Sequence, residues 1–311
     1  MIDHWDDRKA SRRERGHIAG EWRSLTGGAT TKSGVNRVRI DPGRWSTPAH
    51  IHGAEEEFVY VLGGSGISWQ NGATYEIGPG DCVIHRPGEE AHTLRAGDEG
   101  LDVLIFGERV YEEAAVLPRS GVGWFGAGWV LLGGEDDHPW TREATTGEPE
   151  VGEPSERPPT IMHVDDVEAT EHATKTVGRR IRDLARTGES ERTGLRLAEV
   201  HPGKLHTAPH CHSAEEEIFV VLDGDGELLL YADGPQPTET HPVRTGSVVA
   251  RPPGTKVAHA FRGGDHGLTM LMYGTRDPND VCYYPRSNKV FFRGVGLIGR
   301  LERLEYWDGE E

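Results

Sequence analysis

Short runs of apolar residues, interrupted every few positions by glycine, proline, asparagine or aspartate, recur along most of this chain. Such runs read as β-strands, because strands of 4–8 residues bounded by turn residues carry this signature and amphipathic helices do not. Gly34-Val35-Asn36-Arg37-Val38-Arg39-Ile40 opens the series, and Pro42-Gly43 turns the chain into the next run. Strands are then predicted in the apolar run that follows Glu57, over Ile67–Gln70, around Ala73–Ile77, and over Cys82–His85, Ala91–Leu94 and Leu101–Phe106. Asn71-Gly72 between two of them is a hairpin signal, since both central positions of a type I′ turn need positive φ. Closely spaced strands with Gly/Pro turns predict a sandwich or barrel, not a parallel α/β sheet. Residues 3–20 are heavily charged and lack alternation, so a short helix or irregular arm is expected there.

The pattern then occurs a second time. His210-Cys211-His212-Ser213-Ala214-Glu215-Glu216-Glu217-Ile218-Phe219 repeats His50-Ile51-His52-Gly53-Ala54-Glu55-Glu56-Glu57-Phe58-Val59, displaced by 160. Further on the displacement grows to 167, where Leu117-Pro118-Arg119-Ser120 meets Tyr284-Pro285-Arg286-Ser287, and most of the growth falls in a longer second hairpin near Tyr231–Pro242. Insertions of this kind belong in surface turns. A period this long is a domain duplication, far beyond the repeats of solenoids. The expected division is a first unit over 1–134, a Glu/Pro/Gly-rich linker over 135–160, and a second unit over 161–311. Val290-Phe291-Phe292 and Gly296–Trp307 are too apolar for a free tail and are expected to dock on a domain surface or an oligomer interface.

Composition narrows the function. A net charge of −17 over 311 residues opposes binding to a phosphate backbone or an anionic membrane. The 42 glycines and 19 prolines suit a turn-rich β protein, and three widely spaced cysteines make no disulfide framework. The polar start shows no signal peptide, and no run approaches a membrane span, so a cytoplasmic location is expected.

Candidate chemistry lies in the duplicated motif. Residues two apart on a strand share a face, so His50 and His52 project together, and Glu57 can bring a carboxylate to the same place. A fourth candidate, His92, follows a Pro-Gly turn downstream. The second unit offers His210, His212, Glu217 and His259 in the same order. Three imidazoles and a carboxylate turned into an apolar barrel would each cost several kcal/mol unpaired. A divalent cation compensates that cost, and nitrogen and oxygen donors without thiolate suit manganese, iron, nickel, copper or zinc alike. The plain alternative is a solvated strand with Glu55, Glu56 and Glu57 as a charge run, and a middle case keeps one site live and the other degenerate. Cys211 alternates away from the ligands and reads as packing; Cys82 and Cys282 read as core, and His85 as a turn or surface residue. Counting by two inward gives Val59, Val61 and Leu94 as pocket candidates in the first unit and Phe219, Val221 and Phe261 in the second, so the second cavity should be narrower and more aromatic. Asn36 and Arg196 occupy equivalent strand positions from which either could reach a substrate.

These motifs resemble those of two-domain cupins: His-x-His, a Glu five residues on and a Gly seven further (Gly64, Gly224), then Gly, Pro-x-Gly and His. Arg86 stands where the second motif usually opens with proline, whereas Pro252 keeps it in the other half. The resemblance implies an all-β chain of two tandem double-stranded β-helix (jelly-roll) barrels with short flanking helices, and one divalent transition metal per barrel. It also implies a small-molecule ligand or substrate. Activities in this group span dioxygenases, decarboxylases, isomerases and hydrolases; a dioxygenase-like oxidoreductase is the reading favoured here. A cupin decarboxylase or isomerase, or a non-catalytic metal or ligand sensor, stands beside it. Barrel edges need covering, so the halves are expected to form an internal pseudo-dimer, with homodimerisation possible.

Overall fold

The computed structural model describes residues 2–110, 113–125, 128–129, 139–190, 192–232 and 234–310. In the first half, strands run in the order Ser11–Arg15, Ile18–Ser24, Ser33–Ile40, His92–Glu108, Glu57–Gln70, Asp81–His85, Ile161–His163, with Ala73–Ile77 hairpinned onto Glu57–Gln70. A smaller sheet joins Ile51–His52, Ala114–Leu117, Val122–Phe125 and Gly128–Trp129. The second half reproduces both sheets, led by the long strands Glu217–Tyr231 and Ala258–Thr275. The helices are short: Pro139–Thr145 and Leu184–Thr187.

Strands expected as separate pieces are continuous. Glu57–Gln70 passes through Gly63-Gly64-Ser65-Gly66, and the Ala91–Leu94 and Leu101–Phe106 runs fuse into His92–Glu108. Two register irregularities let one strand bend from one face of the barrel to the other. Gly64 makes the bend possible. Its φ is +79°, and a Cβ there would lie 2.1 Å from the Gly100 carbonyl oxygen. Gly224 meets Gly267 in the same way. The Asn71-Gly72 hairpin forms as expected, with φ of 49° and 93°.

One segment, the start of the chain, differs from the sequence expectation. The charged stretch near the start is extended, not helical. Ile2–His4 pairs with Ser247–Val249 of the second barrel, and Ser11–Arg15 pairs with Ile18–Trp22. Ser11–Arg15 is exposed throughout, so its strand state comes from its partner and from Arg13 lying over Trp22, 5.0 Å from the ring. Reciprocally, Ile161–His163 pairs with Asp81–Val83 of the first barrel, so each half lends an arm to the other's sheet edge. The linker composition does not leave the chain free. The Glu148 carboxylate accepts from Trp45 Nε1 (3.4 Å), the Glu150 carbonyl from Trp69 Nε1 (3.2 Å), and Ser155 N–H donates to Thr74 (2.8 Å). The stretch 130–138, where the first unit was expected to end, lies outside the described residues. At the far end Leu297–Arg300 pairs with Lys289–Phe292, but the residues beyond stay in solvent, with Tyr306 86% and Trp307 70% exposed.

Each barrel has its own apolar filling, and a third cluster belongs to both halves. Phe58, Leu104 and Phe106 pack there with Ile218, Leu271 and Tyr273, and the Tyr273 ring sits 5.8 Å from Phe58 and 5.4 Å from Phe106. Strand alternation explains it: Val59 and Val61 face the first barrel's interior while Phe58 and Tyr60 face the other half. That is why the run is continuously apolar. Across this interface the Glu56 carboxylate accepts from Ser190 Oγ (2.8 Å) and Thr193 Oγ1 (2.7 Å). Glu216 answers by accepting from Ser33 Oγ (2.6 Å), Thr31 N–H (3.0 Å) and Lys32 N–H (3.2 Å). Both carboxylates are buried.

Hydrogen bonds to a charged group are worth roughly 1.5–3 kcal/mol each, so Glu56→Ala should cost about 3 kcal/mol. Urea titration of the full chain should show a lowered midpoint with both halves unfolding together. A loss below about 0.5 kcal/mol would remove the carboxylate's structural role.

Candidate metal centres

Each candidate centre is assembled by two backbone pairings. His50 N–H donates to the His92 carbonyl (3.1 Å) and His92 N–H donates back (3.0 Å), placing the His-x-His stretch opposite the downstream histidine. His210 and His259 do the same at 3.2 and 2.8 Å. Glu57 enters from the neighbouring long strand, opposite His85 and Gly107.

The expected ligand atoms converge. In the first barrel, His50 Nε2 and His52 Nε2 are 3.2 Å apart, and Glu57 oxygens lie 3.7 Å from His52 Nε2 and from His92 Nε2. In the second, Glu217 Oε2 lies 3.1 Å from His259 Nε2, 3.5 Å from His212 Nε2 and 4.0 Å from His210 Nε2. Donors bound to one ion at ~2.1 Å stand about 3.0 Å apart when adjacent on an octahedron and about 3.4 Å on a tetrahedron. The shortest observed spacings, 3.1 and 3.2 Å, fall between those values, and the longest, 4.0 Å, exceeds them.

A second layer orients the rings. His52 Nδ1 meets Glu113 Oε1 at 3.1 Å and His212 Nδ1 meets Asp280 Oδ2 at 2.7 Å, which turns each Nε2 towards the focus. His50 and His210 are oriented by the carbonyls of Pro48 and Ala208, both at 2.9 Å. Glu113 also accepts from the N–H groups of Gly53, Ala54 and Glu55, and Asp280 from those of Ser213, Ala214 and Glu215. Neither acid was singled out from the sequence. Their separation of 167, the same offset that relates His92 to His259, was the available signal.

Electrostatics reflect a negative focus awaiting positive charge. Burial drives His50 and His210 down to about 4. Burial also opposes charge on His52, but Glu113 and Glu57 more than reverse it, raising it to about 10. His212 behaves alike under Glu217 and Asp280, at about 9. Burial would lift Glu57, yet the His52 hydrogen bond and charge hold it at about 2.

The remaining sequence candidates separate. His85, expected at a turn or surface, is fully buried and stacks on His92 with centroids 3.7 Å apart and planes 5° from parallel. Parallel rings cannot both aim lone pairs at one ion, so His85 lies behind the ligand, where the second barrel has Arg251. Cys211 packs with Leu229, Tyr231 and Ala258, as alternation required. Cys282 does reach the second centre's cavity, and burial pushes its thiol up to about 12, so it stays protonated. Val59, Val61 and Leu94 fill the first barrel's floor, and Phe219, Val221 and Phe261 the second's, with Phe219 5.3 Å from the His259 ring and 4.8 Å from Phe261. Beside the second centre is a cavity of about 230 Å³, lined at its mouth by Arg196 but by none of those three apolar residues. Asn36, the counterpart of Arg196, is exposed.

The fit to a cation rests on buried atoms without hydrogen-bond partners: Nε2 of His92, His212 and His259, and Oε2 of Glu217. A divalent ion at each focus would satisfy them; the residues that could hold it are His50, His52, Glu57 and His92 in one barrel and His210, His212, Glu217 and His259 in the other.

Comparison with known proteins agrees with the fold. Residues 36–106 and 196–273 each match the family Cupin_2, a cupin domain. The chain is a two-domain cupin. Comparison with curated proteins found no match. Among solved structures it resembles oxalate decarboxylase from Bacillus subtilis at pH 4.6, with 18% identity, TM-score 0.61, and coverage of 88% of this chain and 75% of that one. A point mutant of that decarboxylase gives 18% identity, TM-score 0.62 and coverages of 90% and 78%. A structure of the enzyme concerned with its Mn(II) centres gives 16%, 0.59, 90% and 78%. At such identities the likeness is one of fold: paired antiparallel barrels.

Elemental analysis should find two equivalents of metal, with His50→Ala and His210→Ala each losing one. Asp280→Asn should weaken binding at the second centre by about 10- to 100-fold while leaving the first unchanged. Asp280 itself lies at about 2, below its usual 3.8; burial would raise it, but the His212 hydrogen bond and the backbone donors outweigh burial. A depressed acid stabilises the fold above its unfolded pKa and loses that effect as pH falls through the folded one. In chelator-treated protein, Asp280→Asn should therefore flatten the fall in stability between about pH 4 and pH 2. An unchanged slope would contradict it.

Proposed function

We propose that this two-domain cupin is a metal-dependent enzyme that holds one divalent transition metal in each barrel and acts on a small molecule beside the second centre. The observation that carries the reading is the set of buried, partnerless nitrogen and oxygen atoms converging next to a cavity of about 230 Å³. Four protein ligands entering from the barrel wall leave coordination positions open towards that cavity. A metal there supplies Lewis-acid polarisation or delivery of a small co-reactant. The chain's own part is to orient the imidazoles through Glu113 and Asp280 and to keep the floor dry with Phe219 and Phe261.

Two reaction types suit this arrangement. Oxygen-dependent chemistry of the dioxygenase kind is compatible with the three-histidine, one-carboxylate donor set, which does not by itself select it. Decarboxylation is supported by the structural likeness to oxalate decarboxylase. With metal-loaded protein and a panel of catechols, keto acids and dicarboxylates, oxygen uptake supports the first and carbon dioxide release without oxygen uptake the second. Either activity should fall at least 100-fold in His212→Ala. Tight metal binding with neither activity would favour a sensing or binding role.

A further inference from the structure

The two barrels share their metal-ligand sets but not their surroundings. Arg179 lies on the strand Gly178–Asp183, opposite Val200, and lines the cavity beside His210, His212 and Glu217. Its Nε is buried without a hydrogen-bond partner, and no acid among the described residues lies within ion-pair distance of the guanidinium. Arg196 lines the same cavity, held by Asp183 through its Nε at 2.9 Å, which leaves its terminal nitrogens available. His206 is wholly buried at the cavity wall. Its Nδ1 accepts from Phe261 N–H at 2.9 Å, so a neutral ring carries its proton on Nε2, and that Nε2 has no partner.

Two of these groups, Arg179 and His206, carry a buried nitrogen with no acceptor beside one small space. Of the other charged groups in the wall, Glu215 pairs with Arg293 at 2.5 Å, and Arg276 donates to the Ser190 carbonyl at 2.7 Å. Burial lowers the pKa of Arg179, as expected for a cation awaiting a counter-charge.

None of the three has an equivalent in the first barrel. Register places Gly20 opposite Ile40 where Arg179 stands opposite Val200. The counterpart of Arg196 is Asn36. Ser46 donates its N–H to Leu94 just as His206 donates its N–H to Phe261, both at 2.9 Å, so Ser46 takes the place of His206.

We propose that the second barrel alone contains a carboxylate-recognising substrate site, in which Arg179, Arg196 and the Nε2–H of His206 bind an anionic group beside the metal ligands. The two centres are then unequal: the second takes a small organic acid, and the first binds metal without it. This rests on the metal-enzyme reading for its purpose, but the binding can be measured apart from turnover.

The test is calorimetric titration of the metal-loaded full chain with acetate, malonate and succinate, using malonamide as an uncharged control. At least one acid should bind with 1:1 stoichiometry and malonamide should not. Arg179→Met should weaken that binding by about 10- to 100-fold, the range for a lost charge-assisted hydrogen bond. Arg179→Lys should restore most of it, and Asn36→Ala should leave it within about two-fold. Metal content, measured on the same samples, should be unchanged in Arg179→Met. Failure of all three acids to bind, or equal binding by wild type and Arg179→Met, overturns the proposal. Arg179-dependent acid binding in a chain that takes up no metal would sustain it while removing the enzyme reading.

Discussion

Placing three imidazoles and a carboxylate at one point inside an apolar barrel is the constraint on which this architecture turns. The backbone must deliver His50 and His92 across one strand pair and Glu57 from the next strand. It can do so only where the long strands bend through Gly64 and Gly224, whose positions exclude any side chain. The rings must then be held at the correct nitrogen, and Glu113 and Asp280 do this while tying down the loop that follows each His-x-His. Ligand geometry, strand curvature and loop conformation are thus solved by one set of interactions.

The three consecutive glutamates show how finely the constraint divides labour. Glu57 and Glu217 face the focus. One residue earlier, Glu56 and Glu216 cross into the opposite half and satisfy hydroxyl and N–H donors there. One earlier still, Glu55 accepts from Val110 N–H at 3.0 Å and Glu215 from Asp277 N–H at 3.1 Å. A stretch that looks like a charge run contains a candidate ligand, an interdomain tie and a loop clamp. The candidate metal centre and the domain interface are therefore served by consecutive residues of the chain.

Duplication explains the symmetry, and divergence has been confined to particular places. Ligands, orienting acids, bending glycines and interdomain ties are all kept in both halves. The differences fall behind or beside the ligands: His85 against Arg251, Gly20 against Arg179, Ser46 against His206. Differences placed there leave the converging histidines and glutamate of each centre unchanged while altering what surrounds them.

By itself the sequence determined the class of fold, the duplication and eight candidate ligand positions whose side chains converge in two sets of four, because period-two alternation and fixed His-x-His spacing are local properties repeated in register. It also determined that Cys211 turns away from the ligands. Only the tertiary structure decided that His85 is buried against His92, that Glu113 and Asp280 orient the rings, and that the charged start of the chain becomes a strand on the other barrel. Those outcomes depend on partners far away in the chain: an exposed strand takes its conformation from the edge it covers, and a buried polar group takes its role from what it meets. The apolar pocket candidates show the same limit, since alternation says that Phe219 and Phe261 face inward but not that they lie below the cavity, whose lining includes Arg179 and His206 instead.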